Sequence, residues 1–232
     1  MTEMLFELPA APTLPVRGTS ARYPVARIFC VGRNYAAHAA EMGFEADREA
    51  PFYFTKSAAH ALLSGASLPY PPGTENFHHE MELALAIGAP VFRTSAAAAP
   101  RAIFGYGCAL DMTRRDLQIA SRNKQRPWDL GKDVEGSAVF AELTRAEEIG
   151  AIGPQRIHMA VNGETKQDAH LSDLIHDCAE IVADLSQYYH LAPGDLILTG
   201  TPAGVGPVVA GDEITGGIDG LAPIALTIGA PE

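Results

Sequence analysis

His78-His-Glu-Met-Glu-Leu-Ala-Leu-Ala-Ile87 is the stretch of this 232-residue sequence that decides the fold. It alternates with the period of a β-strand, in which residues two apart share one face. One face then carries the large apolar side chains of Met81, Leu83 and their alternate neighbours. The other face carries Glu80 and Glu82 followed by two alanines, where a solvated face would continue with polar residues. The alternation predicts a strand packed on both faces, with two carboxylates side by side near one end.

Two carboxylates placed side by side need a cation or a shared proton, because like charges repel each other. Ligation by oxygen alone favours Mg²⁺, Mn²⁺ or Ca²⁺ over zinc. Asp111 follows another predicted strand, and it can either complete a three-carboxylate site or cap the helix that comes next. For Glu80 and Glu82 the alternative interpretation is an edge strand with a charged lip.

Histidines and a lysine are the other candidates for chemistry. His38 and Glu41 stand three apart on a predicted helix, so Glu41 can orient the His38 ring as a general base requires; a solvated surface pair is the alternative. His78 and His79 point in opposite directions from a strand, so both cannot ligate one ion. Lys132 is either a solvated lysine or part of a site.

The glycine-rich segment 199–206 lacks the Gly-Lys-Ser/Thr ending of a nucleotide-binding P-loop. Its backbone N–H groups and the Thr201 hydroxyl can instead hold a small carboxylate. No serine or cysteine lies in a nucleophile-elbow pattern, which disfavours a covalent acyl-enzyme.

The coarse organisation follows from periodicity, turn residues and caps. Strands are predicted over residues 27–31, 52–55, 81–87, 103–110, 156–161, 196–199 and 224–228. Helices are predicted over residues 35–42, 113–124 and 172–189, the first capped by Asn34 and ended by Gly43. The prolines predict a loop over residues 68–73, and Asn162-Gly163 predicts a hairpin. Residues 1–24 are predicted as an extended arm, and residues 25–232 as one α+β catalytic domain dominated by β structure.

Composition excludes several classes of protein. The net charge of −11 argues against nucleic-acid binding, which requires clustered Lys and Arg. No apolar run approaches the roughly 20 residues needed to span a bilayer, and the N-terminus lacks a basic start, so a cytoplasmic location is expected. Cys30, Cys108 and Cys178 are isolated from one another, which predicts neither a disulfide framework nor a zinc site.

Seven blocks in a fixed order resemble the fumarylacetoacetate hydrolase family, and are most similar to its short acylpyruvase and fumarylpyruvate hydrolase branch. The blocks are Gly32-Arg-Asn-Tyr-Ala-Ala-His38 with Glu41; Phe54-Thr-Lys56; His79-Glu-Met-Glu-Leu83; Gly105-Tyr-Gly107 with Leu110-Asp-Met-Thr113 and Arg115-Asp-Leu-Gln118; Trp128 with Gly131-Lys132; Val161-Asn-Gly-Glu164; and Gly194-Asp-Leu-Ile-Leu-Thr-Gly-Thr-Pro-Ala-Gly-Val-Gly206. They span about residues 27 to 228.

The resemblance implies a mixed β-sandwich roll, usually a homodimer, that binds Mg²⁺ or Mn²⁺ and a small 2-keto acid. The implied roles are metal ligation by Glu80, Glu82 and Asp111; catalysis by His38, Glu41 and Lys132; and substrate binding by Arg33, Arg115, Gln118 and Thr201. Arg114 occupies a position where relatives often have a small residue, and its role stays open.

The implied reaction is hydrolysis of the carbon–carbon bond of an acylpyruvate, most of all fumarylpyruvate in aromatic catabolism. The same scaffold supports 2-keto acid decarboxylation, as of oxaloacetate, and isomerisation of unsaturated diacids. The presence of a water-activating pair, His38 and Glu41, favours hydrolysis over decarboxylation. A non-catalytic ligand-binding member of the fold is a further alternative.

Overall fold

The computed structural model describes residues 5–7, 9–41 and 48–231. Within these residues the chain forms eighteen strands in four sheets, together with five short α-helices. The strands are β1 Thr13–Pro15, β2 Arg22–Pro24, β3 Arg27–Gly32, β4 Phe52–Lys56, β5 Ala61–Leu63, β6 Ala66–Pro69, β7 Phe77–His79, β8 Met81–Ile87, β9 Ile103–Asp111, β10 Thr113–Arg114, β11 Ala138–Phe140, β12 Thr144–Arg145, β13 Arg156–Val161, β14 Glu164–His170, β15 Asp195–Leu198, β16 Gly206–Val208, β17 Glu213–Ile218 and β18 Ile224–Gly229. The helices are α1 Ala36–Glu41, α2 Arg115–Asn123, α3 Asp129–Lys132, α4 Ala146–Ile149 and α5 Cys178–Tyr188.

Strand β8 lies inside the largest sheet, as its alternation predicts. The strand order of that sheet is β4-β3-β15-β8-β9-β11-β5, with β12 also paired to β9. β8 runs antiparallel to both of its neighbours, β15 and β9. A five-stranded sheet has the order β14-β13-β17-β18-β6, and smaller sheets join β10-β7-β16 and β1-β2. The prediction of a mainly β, α+β fold is confirmed.

Both faces of β8 are packed, and each belongs to a different apolar cluster. All seven residues of the strand are buried. Its large side chains lie in the main core with residues of the five-stranded sheet and of α5, such as Met159 and Ile181. Ala84 and Ala86 lie in a second, smaller cluster. The charged-lip alternative is therefore wrong, since neither face of β8 is solvated.

The second cluster is covered by the N-terminal hairpin, which was predicted as an extended arm. Regular structure begins at Thr13 rather than at Arg27, because β1 and β2 pair with each other. Leu14, Val16 and Tyr23 from this hairpin are almost fully buried in the second cluster. Residues 1–4 and 8 of the predicted arm lie outside the described residues.

Several predicted boundaries move. Helix α5 begins at Cys178, six residues later than predicted, because Asp177 accepts a hydrogen bond from the Glu180 amide and caps it there. Helix α2 begins at Arg115, since Thr113 and Arg114 pair with β7 instead. Leu68 and Pro69, predicted as loop, belong to β6 and pair with β18.

The first helix also differs from its prediction. It begins at Ala36, so Asn34 is not its N-cap residue. The Asn34 side chain instead bonds the backbone of His176 and donates to the Thr199 carbonyl, which joins three segments of the chain. The predicted end at Gly43 lies outside the described residues. None of the helices in the described part of the chain has the length and apolar character needed to cross a membrane.

Candidate active site

Three carboxylates meet at one end of the β8–β9 ladder. Glu82 lies in β8, Asp111 ends β9, and Glu80 precedes β8, where its carbonyl accepts from the Asp111 amide at 2.9 Å. One oxygen from each carboxylate lies within 4.8 Å of those of the other two, and all three residues are buried. Asp111 does not cap a helix, because α2 begins four residues later. The three residues that were predicted to share one site from the sequence therefore lie side by side, as the register of β8 and β9 requires.

Three cations surround this carboxylate cluster. Lys132 Nζ lies 2.7 Å from Glu80 Oε2 and 2.6 Å from Asp111 Oδ2, and it also donates to the Thr113 hydroxyl. The Arg115 guanidinium bonds Glu80 Oε1. Lys56 Nζ lies 2.8 Å from Asp111 Oδ1. All three cations are buried, so the solvated-lysine interpretation of Lys132 is wrong.

The two glutamates differ sharply in their electrostatic surroundings. Burial by itself raises the pKa of Glu80, but Lys132 and Arg115 outweigh it and hold that pKa well below its usual range. Burial raises the pKa of Glu82 well above its usual range, and the neighbouring Asp111 and Glu80 raise it further. Glu82 forms no ion pair with any described residue. It accepts a hydrogen bond from the Gly200 amide at 2.7 Å.

The donor set fits a hard divalent cation. The three carboxylates offer oxygen ligands only, which is the preference of Mg²⁺ and Mn²⁺. Asp111 Oδ1 is buried and accepts no hydrogen bond, since Lys56 approaches it as an ion pair without hydrogen-bond geometry. Asp111 Oδ1 thus lies unsatisfied beside Glu82, a buried carboxylate in no ion pair with any described residue, and a bound cation would satisfy both.

The loop after β15 reaches the cluster through one glycine. Gly200 has a φ of +99°, and a Cβ there would lie 2.8 Å from the Asn34 Cβ, so only glycine fits without strain. This close approach aims the Gly200 amide at Glu82. The next residue, Thr201, lines the cavity above the cluster and accepts a hydrogen bond from Gln167 Nε2 at 2.8 Å.

His38 and Glu41 form the pair predicted from their spacing. His38 Nδ1 lies 3.2 Å from Glu41 Oε2, and both Glu41 oxygens lie 3.2 Å from the Gly204 amide. The His38 ring is buried and lines the same cavity as the carboxylates. Because Nδ1 faces Glu41, the Nε2 atom is the nitrogen left to act on a substrate or water. The surface-pair alternative is therefore wrong for His38.

One face of α2 continues the site. Arg115 and Gln118 are both buried, and the Arg115 guanidinium donates to the Gln118 amide oxygen. Arg33 also lines the cavity, with its guanidinium 5.2 Å above the centre of the Phe52 ring. Arg114, whose role the sequence left open, donates to the Pro72 carbonyl at 2.9 Å and does not line the cavity.

The two histidines before the cluster are not among its possible metal ligands, although His78 Nδ1 accepts a hydrogen bond from Arg115 Nε at 3.4 Å. His78 Nε2 lies 2.8 Å from the Asn76 amide oxygen, and His79 is buried in the next position along β7. Burial, followed by Arg115, lowers the pKa of His78 to about 4; burial also lowers the pKa of His79 to about 4. Both are therefore neutral at pH 7 beside the cluster.

Lys56 is a residue of this site to which the sequence analysis assigned no role. Its ammonium lies beside Asp111 and donates to the carbonyls of Met112 and Lys132 and to the Ser137 hydroxyl. It therefore joins a carboxylate of the cluster to the backbone of Lys132. A signal was present, since a lysine lies in the aromatic-rich strand Phe52–Lys56 and is two residues from Phe54 on the same face.

The fold and the site define a class of protein. The family model for the fumarylacetoacetate (FAA) hydrolase C-terminal domain matches residues 27–229, nearly the whole chain. The chain belongs to the fumarylacetoacetate hydrolase family.

Particular relatives are similar over most of their length. A fumarylpyruvate hydrolase of Ralstonia sp is 52% identical over 193 residues, which cover 82% of this chain and 100% of the relative. The crystal structure of fumarylpyruvate hydrolase from Pseudomonas aeruginosa in complex with Mn²⁺ and pyruvate superposes with a TM-score of 0.95 at 41% identity, covering 98% of this chain and 100% of that one. An oxaloacetate tautomerase of Escherichia coli (strain K12) is 38% identical over 206 residues, covering 88% of this chain and 93% of the relative.

Proposed function

We propose that this protein is a divalent-metal-dependent hydrolase that cleaves the carbon–carbon bond of an acylpyruvate, with fumarylpyruvate as its main substrate. The observation that carries the proposal is the buried cluster of Glu80, Glu82 and Asp111, which lines the same cavity as His38, the ring that Glu41 contacts at Nδ1. The high identity to a fumarylpyruvate hydrolase supports the choice of substrate.

Glu80, Glu82 and Asp111 are the residues that would hold the metal, which we propose to be Mg²⁺ or Mn²⁺. When bound, such an ion supplies a Lewis acid for the 2-keto acid head of the substrate. The structural relative from Pseudomonas aeruginosa contains Mn²⁺ and pyruvate, which supports this pairing of ion and product.

His38 is proposed as the general base. The Glu41 carboxylate accepts a hydrogen bond from Nδ1–H of His38 and so fixes the orientation of the ring. Its negative charge also stabilises the imidazolium that forms when His38 Nε2 takes a proton from water. The water oxygen attacks the acyl carbonyl, and the bond to the pyruvate methylene breaks. That methylene carbon takes up a proton, so the products are a carboxylic acid and pyruvate.

Lys132 is proposed to stabilise the negative charge that develops on the attacked carbonyl oxygen. Each of its three ammonium hydrogens has a protein acceptor in this structure, from Glu80, Asp111 and Thr113. The role therefore requires that one of these bonds be released when substrate binds. Substrate binding is proposed for Arg33, Arg115, Gln118 and Thr201, all of which line the cavity.

Oxaloacetate tautomerisation is the second candidate, favoured by the 38% identity to an oxaloacetate tautomerase. Decarboxylation of a 2-keto acid is a related alternative. Decarboxylation needs no activated water, whereas His38 and Glu41 supply the base that hydrolysis needs. Tautomerisation also uses a base to move a proton, so the choice between it and hydrolysis depends on the substrate assay below. The non-catalytic alternative predicts loss of the pair or of a carboxylate, and this chain has all five residues in place.

The test is a spectrophotometric assay of fumarylpyruvate, acetylpyruvate and oxaloacetate with Mg²⁺ or Mn²⁺, each repeated in EDTA. We expect metal-dependent consumption of fumarylpyruvate with release of pyruvate, and loss of this activity in EDTA. Consumption of oxaloacetate alone would overturn the hydrolase proposal. Metal binding without turnover of any of the three compounds would favour the non-catalytic alternative.

The oligomeric state, the cellular location and the metabolic role belong to the same proposal. We propose a homodimer, and the molar mass from light scattering after gel filtration tests it. A cytoplasmic location and a place in aromatic catabolism remain predictions, the first tested by cell fractionation and the second by growth of a deletion strain on aromatic carbon sources.

A further inference from the structure

Gln167 is a completely buried polar residue in β14, a strand whose other residues are exposed or half-buried. β14 is the edge strand of the five-stranded sheet, and its pairing with β13 is irregular at this point. Met159 of β13 pairs with Gln167. The next residue, Ala160, pairs with Thr165, so β14 has one extra residue between these pairs. Such a β-bulge redirects a side chain, and the Gln167 amide bonds to β8 and to the loop after β15.

The partners of Gln167 fix the orientation of its amide group. The Met81 backbone amide can only donate, so the atom 2.9 Å from it is the Gln167 oxygen. The Pro202 carbonyl can only accept, so the atom 2.7 Å from it is the Gln167 nitrogen. That nitrogen has a second hydrogen, and its second acceptor is the Thr201 hydroxyl oxygen at 2.8 Å. In this last bond, therefore, Gln167 donates and Thr201 accepts.

The bond from Gln167 determines what the Thr201 hydroxyl can do. A hydroxyl has one hydrogen to donate, and accepting from Gln167 leaves that hydrogen unused. Thr201 is almost fully buried and lines the cavity, and within the described part of the chain its hydroxyl hydrogen has no acceptor. The hydrogen is thus left for an oxygen atom of a bound ligand. A carboxylate is a favourable acceptor, because a charge-assisted hydrogen bond is about twice as strong as a neutral one.

The position of Thr201 in the loop indicates which end of the cavity it serves. The preceding residue, Gly200, donates its amide hydrogen to Glu82, so Thr201 lies at the metal-binding end. The loop also packs closely against β14, since a Cβ on Gly204 would overlap the Lys166 carbonyl oxygen. This close packing brings the Thr201 hydroxyl within reach of a side chain from another sheet.

We propose that Gln167 is a positioning residue, which fixes the Thr201 hydroxyl as a hydrogen-bond donor to the carboxylate of a bound 2-keto acid head. Gln167 does not line the cavity, so it acts through Thr201 and takes no part in bond cleavage. The inference rests on the proposed function, because that function supplies the ligand. A glutamine that only fills the core would affect ligand binding equally with and without the Thr201 hydroxyl, a difference that a double-mutant cycle measures.

Calorimetric titration of the Mn²⁺-loaded protein with pyruvate measures the donor role of Thr201 without turnover. Thr201→Val keeps the shape of the side chain and should weaken pyruvate binding about 10- to 100-fold, as expected for the loss of a hydrogen bond to a charged group. Thr201→Ser keeps the hydroxyl and should stay within about threefold of wild type. Wild-type affinity in the valine variant, or no binding of pyruvate by the wild-type protein, would overturn the inference.

Combining Thr201→Val with Gln167→Met shows whether Gln167 acts through that hydroxyl. Alone, Gln167→Met should weaken pyruvate binding about 3- to 10-fold, the effect of losing a neutral hydrogen bond, because the hydroxyl is then free to rotate. In the Thr201→Val background it should change the affinity by less than about twofold. Gln155→Met is the matched control, since Gln155 also accepts from one backbone amide and donates to one carbonyl but does not line the cavity. An equal loss from Gln167→Met in both backgrounds would show that Gln167 is only structural.

Gln167→Glu is a second variant, which keeps an acceptor for the Met81 amide and reverses the bond to Thr201. A carboxylate at this position accepts the hydroxyl hydrogen, so pyruvate binding should fall about 10- to 100-fold, as in Thr201→Val. Unchanged affinity would contradict the inference and leave hydrolysis of fumarylpyruvate by the wild-type protein unaffected. Conversely, a wild-type protein that binds pyruvate but hydrolyses no acylpyruvate would sink the hydrolase proposal alone, and the binding measurements would still decide the role of Gln167.

Discussion

The two faces of strand β8 are equally buried but built from opposite kinds of residue. One face presents Met81, Leu83, Leu85 and Ile87 to the main core. The other presents Glu82 to the carboxylate cluster, and Ala84 and Ala86 to the smaller apolar cluster under the N-terminal hairpin. Burial alone therefore does not separate structural from chemical positions in this strand. Side-chain volume does, because the large residues fill space and the small ones leave room beside the carboxylates.

The acidic residues differ in how the free-energy cost of burying their charges is compensated. A buried carboxylate is expensive unless it is paired. Lys132 and Arg115 compensate Glu80, whereas Glu82 has only a backbone amide and no ion pair among the described residues. Glu82 is thus the residue at which stability of the metal-free protein and metal binding oppose each other most directly.

Glu82→Gln should produce the largest effect, abolishing metal-dependent activity while raising the melting temperature of the metal-free protein. A Gln side chain keeps an acceptor for Gly200 and removes a buried charge that forms no ion pair with any described residue. Activity in saturating Mn²⁺ and melting curves in EDTA measure the two effects. In wild type, Mn²⁺ should raise the melting temperature through its preference for the folded state, and the variant should lose that shift.

The same substitution predicts a dependence on pH. The native pKa of Glu82 is raised above the unfolded value of about 4.3, so the native state favours the protonated form. The stability that this provides is present below the unfolded pKa and is lost as pH rises through the native pKa. The gain of metal-free Glu82→Gln over wild type should therefore grow as pH rises from the unfolded pKa towards the native pKa, and should level off above the native pKa. A constant difference between pH 4 and pH 8 would show that Glu82 is not the strained member of the cluster.

His38→Ala should abolish most of the catalysis and leave metal binding intact, since His38 lines the cavity but is not one of the three carboxylates. Loss of the general base should lower kcat about 10²- to 10⁴-fold. The Mn²⁺-induced rise in melting temperature should remain, because all three carboxylates are intact. Near-normal hydrolysis by this variant would show that another group activates the water.

The acidic face of β8 could be predicted from the sequence more completely than the residues that surround it. Strand alternation and two alanines were enough to place Glu80 and Glu82 together in a packed setting. Asp111 stayed ambiguous, because a carboxylate before a helix is as often a cap as a ligand, and the register of β9 decides between them. Local pattern cannot supply such a register.

Long-range partners were the part that sequence could not supply. The hairpin of β1 and β2 covers the second cluster only because distant strands place that cluster beneath it. Lys56 lies 55 positions before Asp111 in the chain and reaches it through the order of strands in the large sheet. Propensity and periodicity describe neighbours in sequence, so both contacts required the fold itself.

Leu85→Ala tests the apolar face and should destabilise the protein by about 2–5 kcal/mol, the range for truncating a buried leucine. Urea denaturation measures the loss of unfolding free energy. Since Leu85 points away from the carboxylates, kcat per folded molecule should stay within about twofold of wild type at low temperature. A large fall in kcat without a loss of stability would mean that the two faces are not independent.

Ala86→Leu tests the small face at its far end and should have the smallest effect of the four. Added methylenes in a packed cluster cost about 1–3 kcal/mol, because the leucine side chain must displace neighbours under the N-terminal hairpin. Ala86 lies four residues from Glu82, about 13 Å along the strand, so the Mn²⁺-induced rise in melting temperature should be unchanged. Unaltered stability would show that the second cluster has spare volume, and the small residues of this face would then serve no packing purpose near the hairpin. A lost metal response would instead show that the face behaves as one unit, with packing at Ala86 controlling the position of the Glu82 carboxylate.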